Sequence, residues 1–468
     1  MSSADITARS LPALRAAFDG QVIAPGDSAY DRARAVFYGA FDRRPSAIVR
    51  VNDAAEVATV VSVARDTGAE LTVRSGGHSV AGHSMSNGGI VIDLSRLRTL
   101  DLDVERRTAW AGTGLTAGEY TSAAGAHGLA TGFGDTASVG IGGLTLGGGI
   151  GYLVRRYGLT IDDLLAAEVV TANGEIVRAD AEQHPDLFWA IRGGGSNFGV
   201  ATRFQYRLHD VDTIVGGMLM LPATPDLVTR FIAEAHAAPE ELTTILNVMV
   251  APPMPFVPAE YHGTLVMMGL LAHTGPTDAG ERAIAPFRAL GRPLLDTVTP
   301  MPYPQLYRMM EGGPEAVAQE QARSTFIDDL DVGRAEAILE HLRSSTAPMA
   351  VAQLRALGGA MARVPVEDTA FAHRHRRIMI AAGAVYEDAA QTPVHEAWVT
   401  SLAAAVRQGE PGVYVNFLGN EGPARVREAY PGPTWDRLRK VKAAYDPMNL
   451  FRLNHNIPPA TEGAEQGA

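Results

Sequence analysis

Apolar positions along the first two hundred residues repeat with two alternating periods. Ser46–Val51 is a short β-prone run. Asp53-Ala54-Ala55-Glu56 then supplies a capping-box start, and Val57, Val60, Val61 and Ala64 recur at helical spacing to about Asp66. Leu71-Thr72-Val73 is β-prone again. The unit predicts β-α-β, and it runs directly into Arg74-Ser75-Gly76-Gly77-His78-Ser79 at the carboxyl end of its second strand, the edge where α/β sheets take ligands. Before it, Leu11–Phe18 and Asp31–Tyr38 read as helices and Gln21–Ile23 as a strand. After it, Gly88–Leu94, Thr108–Gly112, Glu168–Ala172, Glu175–Arg178 and Ala201–Leu208 read as strands, with an Asn173-Gly174 hairpin turn. Ala117–Gly128 and Asp186–Arg192 read as helices.

Beyond about residue 211 the segments lengthen. Gly216–Leu221, Thr243–Ala251, Thr264–His273 and Arg377–Glu387 read as strands; Val228–Ala237, Ala279–Leu290, Arg334–Leu342 and His395–Arg407 read as helices, and Pro252-Pro253-Met254-Pro255 as a hairpin-like break. This pattern predicts a second, α+β domain, an antiparallel sheet flanked by helices with one face free over a ligand. Motif density returns at Tyr414-Val415-Asn416-Phe417 and Tyr445–Pro459. The expected organisation is a first domain over 1–211 with its core at about 36–211, a second over 212–411, a segment at 412–459 that returns to the first, and a disordered polar tail at 460–468.

Glycine carries the local chemistry. In the first cluster, Gly76-Gly77 frees the backbone to turn N–H groups into one concavity, and Arg74 adds positive charge; a solvated Gly-Gly turn is the plain alternative. Ser138–Gly151 holds seven glycines in fourteen residues, which argues against a helix built for stability and for backbone lying against something flat. It contains no G-x-G-x-x-G fingerprint, and the chain has no P-loop. Gly193-Gly194-Gly195 forms a third loop. His373-Arg374-His375 has no carboxylate at ligand spacing and reads as a solvated basic loop, so no metal site is expected.

Composition narrows the classes. The chain has 468 residues, 46% hydrophobic and 20% charged, with a net charge of −12 and no long basic run, which argues against nucleic acid. The absence of cysteine excludes disulfides, thiol nucleophiles and Cys–metal sites and fits a cytoplasmic protein. The N-terminus has no uninterrupted apolar stretch of signal-peptide type, and no 18-residue apolar window suggests a membrane span.

Five motifs together, Arg74–Ser79, Val139–Gly151, Glu168–Gly174, Asp186–Gly195 and Tyr445–Arg452, resemble the FAD-linked oxidases of the vanillyl-alcohol oxidase superfamily, PCMH type, and the last resembles the berberine bridge enzyme branch. The likeness is strong over about 36–211 and 412–459 and weak between. It implies a two-subdomain FAD domain in which the first glycine loop, Arg74, Ser75, Gly76, Gly77 and Ser79, holds the pyrophosphate and His78 is bonded to the flavin 8α-methyl group. Relatives with a second, cysteinyl bond carry it at the position of Thr136, so attachment through His78 alone is expected.

The resemblance further places Ser138, Val139, Gly140, Gly142, Gly143, Gly148 and Gly149 along the flavin. Val139 stands at the position governing oxygen approach, where Val is the oxidase pattern. Val170 and Val200 would lie near the adenosine, and Asn454 and His455 would close over the flavin. The implied reaction moves a hydride from a small organic substrate (a secondary metabolite, alcohol or amine) to flavin, with molecular oxygen leaving as hydrogen peroxide. A flavin dehydrogenase, a flavin-dependent oxygenating enzyme and a non-catalytic flavin-binding protein are the alternatives, and a monomer or homodimer is expected.

The sequence departs from the family at the base, because Phe417 stands where many relatives carry Tyr. Tyr414 and Asn416 are the remaining candidates. On a strand, however, the spacing of three puts Tyr414 and Phe417 on opposite faces. Asn247, Gln353, Arg355 and Tyr386 are candidates from the second domain, and its few strand charges suit an apolar or aromatic substrate.

Overall fold

The computed structural model describes residues 3–18, 21–251, 253, 257–309 and 319–461. A four-stranded sheet runs in the order Val22–Ile23, Ala47–Arg50, Ile90–Asp93, Leu71–Arg74. Ile90–Asp93 lies between the two strands of the β-α-β unit and parallel to both. Those strands are buried and apolar, as a covered parallel sheet requires. The crossover helix Ala54–Thr67 starts where the Asp53 carboxylate accepts the Glu56 N–H and the Glu56 carboxylate accepts the Asn52 N–H (2.8 and 2.7 Å), and it stops at Gly68.

A second, antiparallel sheet follows the order Leu100–Asp103, Thr108–Gly112, Val200–Arg207, Leu164–Val170, Ile176–Asp180. It shares a core with the first, in which Val170, Ala172 and Val200 pack with Val57, Val60 and Ile90.

The third sheet has eight strands, all antiparallel. Its long strands run in the order Thr213–Pro222, Leu265–Thr274, Leu242–Val250, Met349–Ala356, Ile378–Tyr386, Gln319–Ile327. Alternation divides its two faces. Ile378, Ile380, Ala382 and Ala384 pack under the helices Pro225–Ala237, Thr277–Arg288, Val332–Ser344 and Thr392–Ala405. Met379 and Phe326 face the other way, toward Ile150, Phe371 and Tyr414. This free face roofs the first two sheets.

Several local expectations change. The helix expected over Asp31–Tyr38 is Tyr30–Arg34, and Ala35 leaves it in an extended conformation. The chain leaves early because Phe37 joins the first glycine loop, its N–H donating to the Gly77 carbonyl (3.2 Å). The helix expected to Gly128 ends at Gly125. Within the second glycine cluster Ile141–Gly147 does form a helix, against the expectation. Buried Ile141, Thr145 and Leu146 anchor it, so packing outweighs the propensity cost of about 1 kcal/mol per glycine.

Tyr414–Phe417 is not a strand: Val415–Phe417 is a 3₁₀ turn. Nor is His373-Arg374-His375 a solvated loop. Arg374 is fully buried, bidentate to Asp162 (2.7 and 2.8 Å), and bonded to Thr369 Oγ1 (2.7 Å). Pro252, Met254 and Pro255 of the expected break and residues 462–468 of the expected tail lie outside the described residues. Among the described residues no helix is long and apolar enough to cross a membrane.

Candidate active site

A cavity of about 430 Å³ lies between the roof sheet and the two smaller sheets, within the ~300–1,000 Å³ common for small-molecule sites. Its floor is the loop after Leu71–Arg74: Ser75, Gly76, Gly77, His78 and Ser79 all line it. The loop is pressed against the second glycine cluster, because a Cβ on Gly76 would stand 2.2 Å from the Gly140 nitrogen. Ser75 Oγ donates to the Thr113 carbonyl (2.7 Å) and fixes the loop from below. The His78 ring stacks on Phe37 at 4.2 Å, and Tyr38 meets Phe37 edge-on. Burial pushes the His78 imidazole down to about 4, so it is neutral at physiological pH. Arg74 does not reach the cavity. Its guanidinium turns behind the loop and donates to the Ala33 carbonyl, which corrects its expected place at the phosphate.

The second glycine cluster divides its work. Gly140, Gly142 and Gly143 line the cavity with Thr136 and Val139. A Cβ on Gly143 would meet nothing within 4 Å, so the backbone there is bare toward the opening. Ser138, Gly148 and Gly149 are not on the wall. Gly147 and Gly148 instead admit the C-terminal segment: a Cβ on Gly147 would stand 2.1 Å from Asn416 Oδ1, and one on Gly148 would stand 3.3 Å from the Tyr414 ring. Glycine at these positions therefore marks close protein contacts as well as cavity wall. Val200 lines the cavity, whereas Val170 lies in the core beneath it.

At the C-terminal side the 3₁₀ turn brings Tyr414 and Phe417 to one side, their rings stacked at 5.6 Å, which corrects the opposite-face expectation. The Tyr414 hydroxyl accepts the Gly149 N–H (2.8 Å) and an Asn416 Nδ2–H (2.9 Å), and Asn416 Nδ2 also donates to the Leu144 carbonyl (2.9 Å). Burial raises the phenol's pKa, opposed by those two donors. The phenol keeps its proton at neutral pH, and that proton has no hydrogen-bond acceptor among the described residues. Asn454 and His455 line the cavity. The His455 ring meets His83 edge-on at 4.7 Å, and burial lowers the pair to about 4 and about 3.

Gln353 and Arg355 line the cavity from the roof. Arg355 donates to Gln353 Oε1 (2.9 Å), the Ile150 carbonyl (3.2 Å) and Asp135 Oδ2 (2.6 Å), and its guanidinium lies 5.3 Å from the centre of the Phe417 ring. Asn247 stands one strand further out and accepts from Gln353 Nε2 (3.0 Å). Tyr386 does not join them. Its parity puts it on the helix side, where it packs on His395 and donates to Thr392 Oγ1 (2.8 Å).

Reasoning from sequence missed Phe37, Tyr38, His83, Asp135 and Tyr430 on this wall. Only His83, five residues after His78, gave any signal, and a histidine in a loop is uninformative by itself. The wall suits the FAD that the sequence likeness implies. Beyond the bare glycine backbone, Tyr430 Oη and Asn454 Oδ1 are buried on the cavity lining without a protein partner, which is how polar atoms stand where a ligand completes them. Asp135, the one carboxylate among the lining residues, is neutralised by Arg355 and leaves room for an anionic ligand.

Comparison with known proteins gives a consistent picture. A family described as "FAD binding domain" matches residues 45–180, and one described as "Berberine and berberine like" matches 413–458. (R)-6-hydroxynicotine oxidase of Paenarthrobacter nicotinovorans is 32% identical over 94% of this chain and 97% of its own. An uncharacterised FAD-linked oxidoreductase of Bacillus subtilis is 30% identical over 94% and 98%. The crystal structure of 6-hydroxy-D-nicotine oxidase from Arthrobacter nicotinovorans superposes with a TM-score of 0.85 at 28% identity, over 95% of this chain and 98% of that one. A chitooligosaccharide oxidase shares the fold at 23% identity, with a TM-score of 0.84 over 97% of this chain and 100% of that one.

Proposed function

The chain belongs to the FAD-linked oxidoreductases that carry a berberine-like C-terminal segment, and from that premise we propose that it is an oxidase with FAD bonded through His78, acting on a small organic alcohol or amine and reoxidised by molecular oxygen to give hydrogen peroxide. When bound, the flavin supplies the two-electron oxidation, taking a hydride from a substrate C–H. The observation that carries the reading is the setting of His78. A neutral imidazole, the form able to act as a nucleophile, is held by the Phe37 stack on the wall of a cavity floored by bare glycine backbone. Lacking a cysteine, the chain makes one protein–flavin bond in this reading.

The other residues serve binding and proton traffic. Ser75, Gly76, Gly77, Gly140, Gly142 and Gly143 hold the cofactor, with Tyr430 and Asn454 completing its polar contacts. The Tyr414 hydroxyl, fixed by Gly149 and Asn416, presents its proton to the ligand and serves as a hydrogen-bond donor to the substrate heteroatom. Val139 on the cavity wall carries the oxidase choice over the dehydrogenase one. In the purified protein a flavin spectrum is expected, with fluorescence that stays on the protein band after acid denaturation and disappears in His78→Ala. Peroxide should form with a turned-over substrate, at a rate that does not need an artificial electron acceptor. A protein that takes up no FAD would overturn the proposal; a flavin that washes off the wild-type chain would overturn the covalent bond alone.

A further inference from the structure

The cavity face of the roof sheet is almost without charge. Over its six long strands, alternation places two charged side chains on that face among the described residues, Arg355 and Glu320. Arg355 is neutralised by Asp135. Glu320 is not neutralised by anything among the described residues. It lies on Gln319–Ile327 with the parity of Ser324, whose Oγ donates to the Phe417 carbonyl (3.4 Å), and of Phe326, which packs with Tyr414. Its neighbours in sequence face away: Gln321 Nε2 donates to Tyr386 on the helix side, and Arg323 pairs with Glu421 (3.0 Å).

The Glu320 side chain leans along the sheet over Gly383, where a Cβ would stand 3.8 Å from its Oε1. The Val351 side chain flanks the same position at 3.3 Å, and Glu320 stands on this face just outside the residues that line the cavity. Tyr38, on the cavity wall, has its phenol raised by burial first and then by the charge of Glu320, which places the carboxylate within electrostatic reach of it. A charged carboxylate on an apolar roof is costly, and the cost is relieved either by a proton or by a cation that meets it.

Resting on the oxidase reading above, we propose that Glu320 is the counter-ion for a cationic nitrogen, so that the substrate is an amine that enters as its ammonium form. Burial raises the carboxyl to about 7. Among the groups near it, Tyr38 is raised and His78, His83 and His455 are neutral above about 4, so none of these changes charge in that range. Above about 7 the carboxylate is charged and binds the cation. Below it, the protonated group does not.

The test uses the flavin-loaded protein and a non-reacting pair of probes, phenyltrimethylammonium and its neutral isostere tert-butylbenzene, with binding read from the perturbed flavin absorbance. The cation is expected to bind the wild type at least tenfold more tightly than the isostere, with affinity rising as pH passes upward through about 7. Glu320→Gln should lose that preference and the pH dependence, Glu320→Asp should keep part of both, and the flavin spectrum should be unchanged in each. Equal affinity for the two probes in the wild type, or undiminished cation binding by Glu320→Gln, overturns the proposal. A yellow protein that releases peroxide with neutral alcohols and with no amine overturns this assignment and leaves the oxidase reading intact, whereas a colourless protein removes the reading itself.

Discussion

Replacing Lys442 with Met removes a cation that has no route to water. Lys442 and Asp446 are fully buried one turn apart at the end of the helix Pro433–Tyr445. The ammonium uses all three hydrogens, donating to the Asn197 carbonyl (2.7 Å), Asp446 Oδ2 (2.6 Å) and the Phe451 carbonyl (2.9 Å). The carboxylate in turn accepts the N–H groups of Leu450 (2.7 Å) and Phe451 (2.9 Å). Asn197 continues outward, giving Nδ2–H to the His455 carbonyl (3.2 Å) and accepting the Ile457 N–H (2.9 Å). One ion pair thus ties the third glycine loop to the stretch that carries Asn454 and His455. Methionine fills most of the volume but leaves a buried carboxylate uncompensated and two carbonyls unpaired, a loss of about 3–5 kcal/mol. At ~2.1 cal/mol/K per residue, unfolding all 468 residues releases roughly 1 kcal/mol/K, so the midpoint should fall by about 3–5 °C if the chain melts as one unit. Far-UV circular dichroism melts of the flavin-loaded protein measure this. Lys442→Met/Asp446→Leu, which removes both charges, should recover part of the loss. A single variant that melts within 1 °C of wild type, or a double variant worse than the single, would refute the reasoning.

Two further outcomes are expected. Gly76→Ala sets a methyl against the Gly140 backbone, so it should lower both the melting temperature and the flavin content; Gly143→Ala points its methyl into open cavity and removes a helical glycine, so it should lower flavin content and leave the melting temperature of the flavin-free chain unchanged or higher, and equal effects from the two would count against the cavity geometry. Stability should also fall as pH drops from about 6.5 toward 4. Unfolded histidines take up protons in that range, whereas folded His83 and His455 remain neutral to about 3 and about 4. Glu320, protonated up to about 7 when folded, opposes this by one proton, against one each from His83, His455 and His373, the last also neutral to about 4, and His83→Gln should flatten the slope in a melting series across that range.

The first domain was the more legible part because its signals are local. The Asp53–Glu56 cap, the apolar stripe of Val57, Val60, Val61 and Ala64, and the Asn173-Gly174 turn each fix an element from a few neighbouring residues, and the described elements lie within a few residues of the expected ones. The failures are places where distant chain decides. The helix at Ile141–Gly147 forms despite its glycine content, and two of those glycines answer to distant chain: Ser75 and Thr113 leave no space for a side chain at Gly142, nor does Asn416 at Gly147. Arg374 reads as a surface residue until Asp162, two hundred residues earlier, meets it in the core. Tyr386 was assigned to the site by being on a strand, but its parity depends on which face the helices cover, and a nine-residue apolar run does not encode that.

The Phe417 position shows how such distant contacts reshape the chemistry. As a strand, residues 414–417 would give the site one aromatic side chain and turn the other away. As a 3₁₀ turn they give it both, with Phe417 between Tyr414 and the Arg355 guanidinium. Arg355 is held by Asp135, Gln353 and Ile150, so its charge is spent before a substrate arrives. Phe417 has no proton to exchange, and Tyr414 receives two hydrogen bonds and has one to give. The C-terminal side can therefore offer a hydrogen bond to a substrate heteroatom, but burial keeps its phenol from accepting a proton near neutrality. Neither of these two side chains supplies a group able to accept one. Glu320 lies on the same face of the roof, outside the residues that line the cavity, and burial raises its carboxyl to about 7.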